Sequence, residues 1–174
     1  MDSGLMQPTL VLFSGLPGCG KTSLARQVAR RLSIPVLAKD RVQQFLRSRG
    51  LAERASADGY YFLFDQADEQ LALGVSVILD AVFPQAGFRA QARAIAGKHN
   101  ARWKPVYCLC SDEALWRERM SSRVQYVPGW TPVGWEEVER LRADFLPWSA
   151  DEALIVDSVQ PIEANLARVL EYLQ

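Results

Sequence analysis

Gly15-Leu16-Pro17-Gly18-Cys19-Gly20-Lys21-Thr22 has the spacing G-x-x-x-x-G-K-[ST]. Glycines at these places let successive backbone N–H groups turn inward as a concave cradle for phosphate oxygens. Lys21 is a cation on a flexible stem, long enough to reach β- and γ-phosphates. The Thr22 hydroxyl suits the coordination shell of Mg²⁺. The stretch from Gly15 through Ser23 is therefore the expected binding site for a nucleoside triphosphate, ATP with Mg²⁺. An ordinary glycine-rich turn would have no need of Lys-Thr at that place.

Two acids and a group of arginines extend the chemistry. Asp80 follows the apolar run Val77-Ile78-Leu79, and a carboxylate at such a strand end suits a metal-bound water beside a nucleotide. It equally suits a cap on the next loop. Asp40 follows Val36-Leu37-Ala38-Lys39. There it could take a proton from an acceptor hydroxyl, or serve as a helix N-cap with Gln43 completing a capping box. Arg117, Arg119 and Arg123 lie on or just after one expected helix, where Arg119 and Arg123 share a face at i, i+4. They could close over a polyphosphate as a lid, or form a solvated face paired with Glu113 or Glu118. Arg89 is a further cation on the acceptor side.

These residues must be held by strands and helices. Thr9 to Phe13 reads as a buried strand ahead of the loop, and Leu24, Ala25, Val28, Ala29 and Leu32 make the apolar stripe of the helix behind it. Further strands are expected at Val36–Ala38, running on to Lys39-Asp40, and at Val75–Asp80, Val106–Cys110 and Leu154–Val156. Helices are expected over 41–49 with Val42, Phe45 and Leu46 inward, and over 60–73 and 88–98. Another is expected after a Ser111 cap, one from Thr131-Pro132 to about Phe145, and a last one from Pro161 to Leu173. The segment from Val124 to Gly134, rich in Pro and Gly, is expected to be irregular. Trp130, Trp135 and Trp148 are expected in packing or along a cleft. Strands alternating with helices predict a three-layer α/β fold, a five-stranded parallel sheet with helices on both faces and a small lid over about 117–134. In such sheets ligands sit at the carboxyl ends of the strands, where the loop, Asp40 and Asp80 all fall.

With 174 residues, 49% of them apolar and 23% charged, the chain is expected to form a single domain over 1–174. A formal net charge of zero gives no general attraction to nucleic acid or to anionic membranes. No apolar run reaches the length of a membrane span, and Met1 to Gln7 is short and polar for a signal peptide. The three cysteines have no framework spacing and the single histidine, His99, offers no metal partner set. Buried free thiols in a reducing cytoplasm are expected. Neither an Asn-Lys-x-Asp guanine element nor an ABC-type signature is present.

GLPGCGKTSLA, LAKDRVQQFL, VILDAVF with Phe88-Arg89, and LWRERMSSR follow one another along nearly the whole chain. In this the chain resembles the small P-loop kinases of the zeta-toxin, polynucleotide 5′-kinase and chloramphenicol-phosphotransferase type, a group often labelled AAA-family ATPases. The resemblance implies transfer of the ATP γ-phosphate to a hydroxyl of a small-molecule or nucleotide-like acceptor. It implies Lys21 and Thr22 at ATP and Mg²⁺, Asp40 as the acceptor-activating base, Asp80 as a metal-shell or acceptor-site acid, and Arg119 and Arg123 as lid arginines. Polynucleotide kinases carry an arginine three residues after the base. Gln43 stands there in this chain, so a nucleic-acid acceptor is not favoured. The other classes to be weighed are an acceptor-independent regulatory NTPase and an ATP-binding module without transfer activity.

Overall fold

The computed structural model describes residues 7–51, 57–122 and 133–174. In chain order these form β1 (Thr9–Ser14), α1 (Lys21–Leu32), β2 (Val36–Ala38), α2 (Lys39–Ser48), α3 (Asp58–Ala72) and β3 (Val77–Asp80). There follow α4 (Ala86–Lys98), β4 (Arg102–Leu109), α5 (Glu113–Ser121), α6 (Trp135–Asp144), β5 (Leu154–Asp157) and α7 (Ile162–Leu173). The five strands make one parallel sheet in the order β2-β3-β1-β4-β5. From β1 the chain crosses outward to β2, and from β3 it crosses back over β1 to β4. Right-handed crossovers in opposite directions place their helices on opposite faces. Accordingly α1 packs with α7, and α3 with α4. This is the expected α/β P-loop fold.

The core lies where β1 and β3 run side by side. Leu10, Leu12 and Phe13 are fully buried, as are Val77, Ile78 and Leu79. Both strands are covered on both faces, so they read as unbroken apolar runs. The register pairs Phe13 with Asp80 and Ala38 with Asp80. The carboxyl ends of β1, β3 and β2 thus finish within a residue of one another.

Several local expectations are corrected. β2 stops at Ala38, and Lys39 and Asp40 already belong to α2, whose N-cap is Ala38 with no side-chain bond. Asp40 is therefore inside the first turn and is not the cap. On α2, Gln43 is buried and Phe45 is 58% exposed, because the helix lays Gln43 against Gly59 of α3. β3 begins at Val77, since the Ser76 hydroxyl leaves the ladder pattern to accept the Thr9 N–H at 2.9 Å. β4 starts four residues early, at Arg102. Its two charged residues reach the end of α7, Arg102 donating to the Leu173 carbonyl and Lys104 to the Tyr172 carbonyl, each at 2.7 Å. Cations at the last carbonyls of a helix satisfy groups that lack intrahelical partners.

Asp112, not Ser111, caps α5, accepting the Leu115 N–H at 3.0 Å. Ser111 is held back by its N–H, which donates to Asp157 at 3.2 Å. α6 starts after Gly134. The expected Thr131-Pro132 start, Trp130 and most of the 124–134 segment lie outside the described residues.

Candidate functional site

β1 delivers the chain into the loop at Gly15, whose φ is 146°. A Cβ there would stand 2.2 Å from the Cys108 carbonyl oxygen of β4, so only glycine lets the loop leave so close to its neighbour strand. Gly18, at φ 83°, is closed in by α5: a Cβ would meet Met120 Sδ at 2.5 Å and Trp116 Nε1 at 2.8 Å. Trp116 also donates its indole N–H to the Pro17 carbonyl at 2.8 Å. The loop is thus gripped from its outer side, leaving its inner concave side free. α1 begins directly after Gly20 with no side-chain cap, so its first N–H groups face the position of an anion.

Lys21 is buried, 7% exposed, and its ammonium lies 3.5 Å from the Leu16 carbonyl. Asp80 is also buried. Burial pushes its carboxyl above the ordinary carboxylate value, the Lys21 charge and the Thr22 hydroxyl pull it partly back, and the Asp40 charge adds to the rise. Asp80 therefore sits among Lys21, Thr22 and Asp40, three residues that the sequence had singled out separately. Its Oδ1 is buried with no hydrogen-bond partner among the described residues. An unpaired carboxylate oxygen beside a threonine hydroxyl suits a hard cation that shares its shell with phosphate and water oxygens. Thr22 and Asp80 together therefore fit Mg²⁺. Asp40 itself is exposed, two residues past the rung that pairs Ala38 with Asp80.

A cavity of about 570 Å³ opens beside the loop, lined by Gly18 to Leu24, Cys108, Arg119, Val156, the turn from Ser158 to Ile162, and Asn165. Its size is that of a small-molecule site. The turn after β5 was not among the expected site residues, although its place at a strand's carboxyl end marked it. Arg119 spans the cavity wall, donating to the Ser158 hydroxyl at 2.9 Å and to the Ser158 carbonyl at 3.0 Å. Asn165 fixes the same turn through its amide, which donates to the Asp157 carbonyl at 2.8 Å.

The other cations are engaged elsewhere. Arg117 pairs with Glu113 at 2.9 Å and lies 4.1 Å over the Trp135 ring. It belongs to the solvated face of α5 and α6. Arg89 is buried, donating to the Phe83 carbonyl at 2.9 Å and also to the Leu146 carbonyl, with its guanidinium 4.2 Å over Trp148. Trp148 in turn donates to Ser14 at 2.9 Å. Arg89 thus braces the turn after β3, where Phe83 holds a left-handed φ of 49°. Arg123 lies outside the described residues.

Cys19, Cys108 and Cys110 are all free and buried. Burial pushes the Cys19 thiol up to about 11 although the Lys21 charge pulls it down. A thiol in that state is a poor nucleophile. Among the described residues no group of three or more His, Cys, Asp or Glu could hold a metal ion, and no helix is long and apolar enough to cross a membrane.

Residues 10–147 match the AAA domain. The chain belongs to the AAA domain family. No curated protein sequence matches it. Among solved structures, this AAA domain protein is similar to a sugar kinase from Janibacter sp., with 20% identity over 95% of this chain and 94% of that one, at a TM-score of 0.71. It is similar to the Mycobacterium tuberculosis APS kinase CysC in complex with AMPPNP and APS, at 20% identity, 96% and 98% coverage and a TM-score of 0.66. It is also similar to Chaetomium thermophilum Kti12 in complex with ADP-AlF3, at 18% identity, 94% and 96% coverage and a TM-score of 0.72. At these identities the likeness is one of fold. The AAA domain protein shares the P-loop α/β fold of these structures.

Proposed function

We propose that this protein is an ATP-dependent phosphotransferase that moves the γ-phosphate of ATP to a hydroxyl of a small-molecule or nucleotide-like acceptor. The observation that supports this is the register of β2 and β3: Ala38 pairs with Asp80, so Asp40 stands exposed two residues beyond the buried acid that neighbours Lys21 and Thr22.

The loop from Gly15 to Ser23 holds the triphosphate through its backbone N–H groups, and the start of α1 adds the positive end of the helix dipole. Lys21 sits where it offsets the charge that grows on the β–γ bridge as the bond to ADP breaks. Asp40 orients the acceptor hydroxyl and takes its proton as the new P–O bond forms. Thr22 and Asp80 would hold Mg²⁺, which when bound would supply positive charge against that of the phosphates. Arg119 closes the wall of the cavity in which the rest of the nucleotide lies, and Arg123 is assigned with it to the lid over about 117–134. We take residues 1–174 as one domain and the protein as cytoplasmic, in keeping with its buried free thiols.

Both AMPPNP and ADP-AlF3 appear in the similar structures, which supports ATP as the nucleotide. The likeness to Kti12 is compatible with a second reading, an ATP-binding or ATP-hydrolysing module without an acceptor. ADP release measured with and without a panel of sugars, nucleosides, antibiotics and 5′-hydroxyl oligonucleotides separates the two. Acceptor-dependent release supports transfer, whereas turnover indifferent to every acceptor supports the module.

A further inference from the structure

Lys39 opens α2 immediately after β2, one residue before Asp40. Its stem runs across the first turn of α3 at Gly59. A Cβ on Gly59 would stand 3.0 Å from Lys39 Cγ and 3.4 Å from Cε, so the missing side chain makes the channel in which the stem lies. The ammonium ends 4.8 Å from the centre of the Tyr60 ring. That ring is fixed in turn: its hydroxyl accepts the Phe83 N–H at 3.1 Å, and its face stacks on Phe88 at 4.2 Å and 16°. The cation therefore rests on an aromatic plane tied to the turn that follows Asp80.

Among the described residues the Lys39 ammonium has neither a hydrogen-bond acceptor nor an ion-pair partner. It is nonetheless half-buried, and burial lowers its pKa while the Asp40 charge raises it and the Arg47 charge lowers it. A desolvated ammonium is costly until an anion meets it. The π face of Tyr60 returns only part of that cost. Other cations nearby are differently employed: Arg41 is exposed and bonds Gln44 of its own helix at 3.4 Å, and Arg89 is committed to backbone carbonyls.

We propose that Lys39 binds the acceptor, and that it selects acceptors carrying an anionic group, a carboxylate or a phosphate, near the hydroxyl that is phosphorylated. This rests on the transfer reaction proposed above. Lys39 takes the anion while its neighbour Asp40 takes the hydroxyl, so adjacent residues on one helical turn set both the identity and the orientation of the acceptor. The buried Tyr60 ring, stacked on Phe88, holds the ammonium in place.

The test compares acceptors in matched pairs: glycerate against glycerol, gluconate against glucose, and a nucleoside 3′-phosphate against its nucleoside. Wild type is compared with Lys39→Met, which keeps an apolar stem for the Gly59 channel and removes the charge. In wild type the anionic member of at least one pair should have the higher kcat/KM. Its KM should rise by about ten- to a hundredfold in Lys39→Met, the loss expected for a charge-assisted hydrogen bond, with the KM for ATP unchanged and no fall in Tm. The carboxylate and phosphate pairs report which anion is preferred. Calorimetric titration of the same compounds into ADP-saturated protein reads the binding step without turnover. Anion-dependent binding lost in Lys39→Met, but without ADP release from any acceptor, would uphold the site and remove the transfer reaction. Equal binding and equal kcat/KM for anionic and neutral members would overturn the Lys39 assignment. So would an unchanged anionic KM in Lys39→Met. Either result leaves transfer to neutral acceptors standing or falling on its own.

Discussion

Gly15→Ala should be among the most damaging single-methyl changes in the protein, and its effect follows from two distances. The new Cβ would start 2.2 Å from the Cys108 carbonyl oxygen, whereas real Cβ contacts stay beyond 3.0 Å. The β1–β4 ladder, with Ser14 paired to Tyr107, resists opening by that margin. Overpacking of this kind costs about 1–3 kcal/mol. Holding alanine at the Gly15 φ of 146° adds about 1–3 kcal/mol of backbone strain. At roughly 2–4 °C per kcal/mol for a chain of this size, a loss near the middle of that range lowers the Tm by about 8–16 °C. The loop would also leave β1 at a different angle, so ATP affinity should fall in the fraction that remains folded. Gly50→Ala is the control, since Gly50 has a φ of 67° with nothing within 4 Å of its Cβ position and incurs strain without the clash. Thermal melts and calorimetric ATP titration of both variants check the reasoning. A Gly15→Ala protein melting within about 2 °C of the Gly50→Ala control, with unaltered ATP affinity, would refute it.

Lys21→Ala should reduce transfer about a hundredfold or more and weaken ATP binding, since it removes the buried cation proposed to meet the phosphates. Single-turnover assays and titration check this, and full turnover in that variant would remove the nucleotide site. Asp80→Asn should raise the Tm of the nucleotide-free protein while lowering Mg²⁺-dependent activity. Burial raises the folded-state pKa of Asp80 above its unfolded value, so the buried carboxyl opposes folding at any pH above the folded-state pKa, and the penalty is relieved only as pH falls from there to the unfolded value. A neutral amide lifts that penalty, and a lower Tm for Asp80→Asn at pH 7 would contradict this account.

The phosphate loop was legible because its chemistry is local. Backbone N–H groups, one lysine and one threonine must be contiguous to make it, so their spacing survives in the sequence. β1 and β3 were legible for a related reason, their burial on both faces leaving unbroken apolar runs. β4 was truncated in the reading because Arg102 and Lys104 look like loop residues until α7 is seen to offer them its last carbonyls. The cap of α5 moved by one residue because Asp157, on a strand 46 residues away, holds the Ser111 N–H. Arg89 is a backbone brace for the same kind of reason: beside the nearby Phe83 carbonyl it holds that of Leu146, 57 residues away. Lys39 gave no signal, because what makes it notable is the space left by Gly59 and the ring of Tyr60, neither of which is near it in the chain.

Asp40→Asn in the acceptor-dependent ADP-release assay tests the central claim most directly. Asp40 lies within the first turn of α2 and caps nothing, and an amide at that exposed place should leave the Tm and ATP affinity nearly unaltered. Because the amide cannot accept the hydroxyl proton, transfer is predicted to fall by about 10²- to 10⁴-fold. Acceptor-dependent turnover close to that of the unmodified enzyme would contradict the assignment of Asp40 as the base.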